Sequence, residues 1–301
     1  WNHSLFNSVM GTGLGKALYT DVTFEAGAYD TSGYGNVTSF DSDGFTVGLT
    51  AGNNYAYNYG SGTKYLAWNW KAGGTASSNT DGIITSSVSA NPTAGFSIVS
   101  WTASGTNNDT VGHGLSVVPE LIIMKSRDGA RDWYAYTQAL DGSLDFFLLN
   151  GTNAKQDSGA NVPTSSVFSV IGSTVNVSGE KMIGYCFNSV EGYSKVGIYT
   201  GNGSADGTFV YTGFRPAFIL FKRADSASNW TMFDNKTDPQ NAVGREIYTD
   251  LANAEAGHYN ALDFVSNGFK LRSVTYSINA SSSSFIYLAF AESPFKTSNA
   301  R

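Results

Sequence analysis

Charge is scarce in this sequence. Only 14% of its 301 residues are Asp, Glu, Lys or Arg, against about a quarter in ordinary globular domains. Long helices draw on Ala, Leu, Glu and Lys, so the shortage argues against a helical protein. The 18 Lys and Arg are scattered and form no basic stripe of the kind that tracks a phosphate backbone, which argues against nucleic acid as a partner. Cysteine is nearly missing. The one thiol, Cys186, lies in the apolar run Met182-Ile183-Gly184-Tyr185-Cys186-Phe187; it can form no intrachain disulfide and reads as packed in a buried strand. No apolar run approaches the ~20 residues of a membrane-spanning helix, so membrane insertion is not expected. The three histidines, His3, His113 and His258, read as surface or turn residues. No His-Glu-x-x-His, phosphate loop or nucleophile elbow occurs, so no catalytic residue, cofactor or metal is expected.

What the chain has in abundance is 34 Gly, 14% aromatic residues and many Ser, Thr and Asn. That mixture suits short strands joined by tight turns. It is also repetitive, the feature to settle first. Ile122 to Trp133 answers Ile219 to Trp230, apolar run, Lys, Asp and Trp each at the same place, with 222 − 125 and 230 − 133 both equal to 97. Pro119 answers Pro216, and Tyr185-Cys186-Phe187 answers Leu288-Ala289-Phe290. A third, partial copy opens the chain: Trp1 answers Trp230, Gly15 to Asp21 answers Gly244 to Asp250, and Phe40 to Phe45 answers Phe264 to Phe269. The expected fold is all-β: tandem antiparallel β-sandwich units, jelly-roll or lectin-like, from an internal repeat of about 97 residues with the first unit incomplete.

The pattern divides the chain into an incomplete unit over 1–72, a Gly/Ser/Thr/Asn-rich connector over 73–94, a second unit over 95–190 and a third over 191–301. The second unit holds eight strand candidates: 96–102, 110–113, 121–125, 133–137, 145–149, 167–171, 174–177 and 182–187. The connector holds one more, Ile83 to Val88, and Tyr65 to Trp70 reads as a hairpin partner of Tyr55 to Tyr59. A short helix is expected over 244–256, with a weaker equivalent over 15–26. The near-absence of a linker between the second and third units suggests a stiff rod. Half a unit leaves strand edges unpaired, so either a longer product or strands from a neighbouring chain are expected to complete it.

Recurrence separates the aromatics. Trp1, Trp133, Trp230, Phe45 and Phe269 recur and read as core anchors of the repeat. Tyr55, Tyr57, Tyr59, Trp68, Trp70 and Trp101 do not recur, and they are the candidates for an interface or a glycan contact. Asp41-Ser42-Asp43-Gly44 begins like a calcium loop but lacks the later Glu, so a Gly-containing turn is the reading here. Asp128 and Asp225 read as turn-shaping residues, with Lys125 and Lys222 paired to them at the surface.

Several stretches resemble repeats of marine bacteriophage structural proteins: Phe40 to Phe45, Trp68 to Gly74, Gly192 to Lys195, Tyr199 to Gly203, Gly213 to Pro216 and Ala291 to Arg301. The resemblance implies a tail-fibre-like or virion-surface protein, extracellular, with a natural C-terminus and an upstream region before Trp1. It brings no catalytic residues with it. The expected partners are other copies of the chain in a homo-oligomer, virion proteins and a host surface glycan. The alternatives are a self-assembling extracellular filament or adhesin subunit completed by a neighbour's strands, and a carbohydrate-binding or glycan-degrading sandwich module.

Overall fold

A strand buried on both faces reads as an unbroken apolar run, and Met182 to Phe187 is such a run. Its side chains divide between separate cores: Ile183, Tyr185 and Phe187 enter one, Met182 and Cys186 another. Phe285 to Ala289 does the same, with Ile286 and Leu288 in that first core and Phe285, Tyr287 and Ala289 in a third. Two sheets that share a middle core and each cover a further one follow from this partition.

The computed structural model describes residues 2–28, 35–48, 57, 62–257 and 259–293. In chain order the strands begin with β1 (Ser4–Leu5), β2 (Leu18–Tyr19), β3 (Asn36–Phe40), β4 (Phe45–Gly48), β5 (Ser77–Asn79) and β6 (Ser86–Asn91). Next come β7 (Phe96–Thr102), β8 (Asp109–Gly112), β9 (Leu121–Ser126), β10 (Tyr134–Thr137), β11 (Asp145–Leu148), β12 (Gln156–Asp157), β13 (Val167–Val170) and β14 (Lys181–Phe187). The remainder adds β15 (Ser194–Thr200), β16 (Phe209–Tyr211), β17 (Pro216–Arg223), β18 (Thr231–Asp234) and β19 (Ile247–Tyr248). It ends with β20 (Leu262–Val265), β21 (Gly268–Leu271), the single helical turn α1 (Tyr276–Asn279) and β22 (Ser284–Ala291).

The fold is all-β, built from antiparallel sheets packed as sandwiches. The larger sheet runs β12-β11-β10-β9-β14-β7-β6-β5 and the second runs β15-β22-β17-β18-β19. Strand for strand, β7-β14-β9-β10-β11 and β15-β22-β17-β18-β19 stand in the same order. A small sheet backs each. The pair β13-β8 closes a core of Val99, Trp101, Val111, Ile122, Met124 and Phe168. The sheet β16-β21-β20 closes one of Ile219, Phe221, Phe233, Phe264, Phe269 and Phe285. The middle core takes the remaining faces of both large sheets, together with Met10 and Leu18 of the opening segment. The stiff rod expected from the missing linker is therefore not formed: the two large sheets share one core side by side.

Four other expectations are corrected. Residues 244–256 are not helical but an irregular loop, closed by Glu246 and Ala256 exchanging backbone hydrogen bonds of 2.8 and 3.0 Å, with Ile247–Tyr248 paired to β18. Residues 174–177 form a turn and its exit rather than a strand, and 65–70 pair with no strand among the described residues. The 73–94 connector carries two strands, both in the large sheet, where β6 lies along β7 from Ser86↔Trp101 to Asn91↔Phe96. Tyr55 and Tyr59 lie outside the described residues.

Candidate interaction surfaces

Lys125 and Lys222 do not pair with Asp128 and Asp225. Both lysines are fully buried. Each sits at the end of an apolar strand, so its stem continues the packed row and its ammonium must find oxygen without water. The Lys125 Nζ donates to the carbonyls of Thr23 (3.1 Å), Ser126 (2.9 Å) and Gly129 (3.1 Å), which uses all three of its protons. The Lys222 Nζ donates to Thr152 O (2.9 Å) and to Ser228 O. Burial pulls each pKa down to about 8. The aspartates act locally instead: Asp128 Oδ1 accepts Lys181 N–H at 2.8 Å, and Asp225 Oδ1 accepts Arg223 Nε–H at 2.8 Å.

These lysines are one element of a seam that occurs twice. Trp133 Nε1 donates to Tyr19 O at 2.7 Å, and Trp230 Nε1 to Leu148 O at 2.9 Å. Ala26 N–H donates to Arg127 O at 2.8 Å, and Lys155 N–H to Ala224 O at 2.9 Å. One partner set shifts by 97 (125 to 222, 133 to 230, 127 to 224) and the other by 129 (23 to 152, 19 to 148, 26 to 155). Thr249 Oγ1 reaches Leu149 O and Thr20 Oγ1 reaches Thr249 O, each at 3.3 Å. The opening segment, the middle segment and the last are thus bonded in a closed ring.

The expected anchors Trp133, Trp230 and Phe269 are all buried: the two tryptophans in the middle core and Phe269 in the last. Trp1 lies outside the described residues. Phe45 is a correction. It is 38% exposed: no ring among the described residues covers it as the Tyr199, Phe221 and Tyr287 rings enclose Phe269. Trp101, expected at the surface, is 3% exposed and sits edge-on to Phe168. Gly184 beside it makes the room, since a Cβ there would lie 3.2 Å from the Trp101 ring. Trp68 and Trp70 come together, but half-buried as a cover on the middle core, Trp70 against Phe187, Phe218 and Phe290 and Trp68 against Phe218. Tyr57 packs on Phe6 and donates to Ser4 Oγ.

His113 is also buried, against expectation. Its Nδ1 accepts Leu115 N–H at 3.2 Å, Nε2 faces Thr164 O at 3.2 Å, and burial lowers its pKa. His3 is half-buried and His258 lies outside the described residues. The Asp41 carboxylate accepts the hydroxyls of Ser39 and Thr46 at 2.8 Å each, the bonding of a turn. Among the described residues no group of three or more His, Cys, Asp or Glu could hold a metal ion, and no helix is long and apolar enough to cross a membrane.

The rings that do face outward are others. On β16, Val210 points into the core while Phe209 and Tyr211 on either side are 47% and 66% exposed, the two-residue alternation of a strand. Phe209 lies opposite Lys270 and Tyr211 opposite Gly268. A fixed ionic cluster adjoins them: Lys270 pairs with Asp206, and Arg272 with Asp263 at 2.6 Å. On the β3–β4 hairpin, Phe40 and Phe45 form an exposed cross-strand pair. Sequence reasoning missed Phe209 and Tyr211, because Phe-Val-Tyr reads as apolar throughout and only the sheet tells its two faces apart. No curated protein and no solved structure matches the chain. A family model matches residues 1–294, and the chain belongs to that family, the domain of unknown function DUF7483.

Proposed function

We propose that this chain is a non-enzymatic structural protein of a virion surface, in the manner of a phage tail fibre or spike, and that its outward aromatic rings contact the host. The observation that carries this reading is the Phe209–Tyr211 strip, exposed on a sheet whose other face is locked into a core. Alternate residues on a strand stand ~7 Å apart, and flat rings beside fixed charged groups suit stacking on a sugar ring with hydrogen bonds to its hydroxyls. The closed ring of hydrogen bonds supports the same reading, because a presenting surface works best when its parts are held in register. Several weak contacts on one assembly bind strongly together, so the chain is expected to act as a homo-oligomer. The resemblance of its motifs to marine phage structural repeats points the same way.

The test is binding of the purified chain to a panel of bacterial surface glycans and to whole cells, with a Phe209→Ala/Tyr211→Ala double variant alongside. Saturable binding that falls at least ten-fold in the double variant, with the folded state unchanged by circular dichroism, is the expected result. Equal binding by the two proteins, or none by either, overturns it. Native mass spectrometry then checks for the homo-oligomer.

A further inference from the structure

The outer face of the β16-β21-β20 sheet is laid out in two rows. One row is Phe209, Lys270 and Asp263, each opposite the next across the ladder; the other is Tyr211, Gly268 and Val265. The rows lie two residues apart along the strands, ~7 Å. The first carries charge and the second is flat, because Gly268 puts no side chain beside the Tyr211 ring. Two cations and two carboxylates make up the charge. Arg272 Nε donates to Asp263 Oδ2 at 2.6 Å, and the Asp263 side chain is 15% exposed, so the guanidinium is aimed by a carboxylate that stays in place. Asp206 is different. It pairs with Lys270 and lies 3.7 Å from Arg272 Nη1, yet its side chain is 80% exposed. Its backbone is tied to Ser204 Oγ and to Asn202 Nδ2, each at 3.2 Å, so the carboxylate can swing out while the loop stays. Exposed ion pairs are worth little, so little is lost when a ligand replaces one partner. The departure of Asp206 leaves one positive charge in excess beside the rings.

We propose that this face binds an anionic sugar, whose ring stacks on Tyr211 over the bare Gly268 backbone and whose carboxylate or sulfate takes the place of Asp206 on Lys270 and Arg272. The inference rests on the host-contact reading above and names its ligand class. An acidic sugar carries its charge just off the ring, so a ring lying on the flat row reaches the cations of the next. Lys270 meets that charge as a point charge and Arg272 through Nη1, with charge-assisted hydrogen bonds. A neutral sugar offers the cations only hydroxyls and leaves Asp206 where it is. The chain as a whole carries a net charge of −6, which repels anions at long range. A preference for acidic sugars therefore has to come from this cluster.

The test is titration of the full chain with galactose oligomers of one length in three forms: uronate, sulfate ester and neutral. The acidic forms should bind at least ten-fold tighter than the neutral one, and the stronger of the two identifies the anion. Asp206→Asn should tighten acidic binding several-fold and leave neutral binding unchanged, a gain that no loss of folding can mimic. Lys270→Met should erase the preference, with an unchanged melting temperature verifying the fold. Equal binding of the three forms, no binding of any, or acidic binding indifferent to Asp206→Asn overturns the inference. If the three forms bind equally and all binding disappears in the Phe209→Ala/Tyr211→Ala protein, the inference falls while the host-contact reading stands. That reading is decided separately, by the double variant on whole cells.

Discussion

Asp250 and Asn150 do the same job with different chemistry. Asn150 Oδ1 accepts Trp133 N–H at 2.8 Å and Asp250 Oδ1 accepts Trp230 N–H at 3.2 Å. The Asp250 carboxyl is 6% exposed, and burial raises its pKa to about 6 although Lys222 pulls the other way. Its folded pKa thus exceeds the unfolded value, so the protonated form supports stability below about pH 4 and that support is lost as the pH rises through 6. At neutral pH the charged group costs on the order of 3 kcal/mol. Asp250→Asn should therefore raise the unfolding free energy at pH 7 by about 1–2 kcal/mol, with the gain gone at pH 4, as urea titrations at both pH values would show. A neutral or destabilising effect at pH 7 would mean that the Lys222 interaction dominates. Lys125 and Lys222 titrate in the opposite sense. Each holds its proton only up to about pH 8 when folded, against 10.5 ordinarily, so the unfolded chain binds more protons between those values and stability gains as the pH rises through that window. The buried Cys186 thiol and the Tyr136 phenol, both pushed up to about 12, oppose this toward the alkaline end. The comparison that isolates the lysines is wild type against Lys125→Met/Lys222→Met between pH 7.5 and 9.5. The wild type should gain relative to the variant, on the order of 1 kcal/mol per pH unit for each ammonium. Parallel curves would show that the lysines keep their protons. Nothing in the sequence marks these lysines as buried, since a Lys after an apolar run and before an Asp looks like the start of a solvated turn. Its destination is set in part by a distant carbonyl, Thr23 for Lys125 and Thr152 for Lys222.

Strands buried on both faces are the legible elements. Phe96–Thr102 is legible to the residue, and Leu121–Ser126 and Lys181–Phe187 to within one residue, because apolar side chains fill both sides of each. Strands β5 and β6 are obscured by their composition: Ser-Ser-Asn and Ser-Ser-Val-Ser-Ala-Asn carry little hydrophobic signal, and their place is set by pairing, β6 with β7 and β5 with β6. The 244–256 segment misleads for the reverse reason. Its composition permits a helix, but the Glu246 carboxylate accepts the hydroxyls of Tyr248 and Tyr259 and holds the loop closed. Less of the candidate site is legible: Trp68 and Trp70 stand out as a pair, whereas the direction of Trp101 depends on the absent side chain of Gly184. One edge shows how a strand is ended without a neighbour among the described residues. Tyr193 O accepts Ala291 N–H and Gly201 N–H donates to Ser283 O, so the even-numbered residues of β15 turn their backbone groups outward. Val190 takes both groups of Ser194. The Ser189 hydroxyl accepts Val196 N–H at 3.0 Å and donates to Val196 O at 3.5 Å, and Thr208 Oγ1 donates to Thr200 O at 2.8 Å. Side chains therefore occupy positions that another strand would need. Ser189→Ala should cost only about 1 kcal/mol yet increase self-association, measured as light scattering against concentration. Unchanged scattering would mean that the exposed Ile198 rung already sets the edge's behaviour.

The shared middle core gives the whole molecule one more property. Ile183 and Tyr185 of one large sheet, and Leu220 and Ile286 of the other, are buried in the same cluster. The Phe147 and Trp230 rings meet across it edge-on at 5.7 Å. Neither large sheet can lose its fold without exposing the inner face of the other, so the layers should unfold as one unit despite the chain's length. Units joined end to end, as the missing linker suggests, would instead melt one by one. Two reporters separate these cases. Phe221 is fully buried in the core closed by β16-β21-β20, and Trp101 in the core closed by β13-β8, on opposite sides of the middle layer. Phe221→Ala removes a buried ring, a change worth about 3–5 kcal/mol, and it touches nothing around Trp101. In a cooperative molecule the fluorescence of Trp101, isolated by difference from a Trp101→Phe protein, should shift to lower denaturant by the same amount as the far-ultraviolet dichroism. If Trp101 keeps the wild-type midpoint while the dichroism splits into two steps, the two sandwiches fold independently and the hydrogen-bonded seams merely hold them in contact.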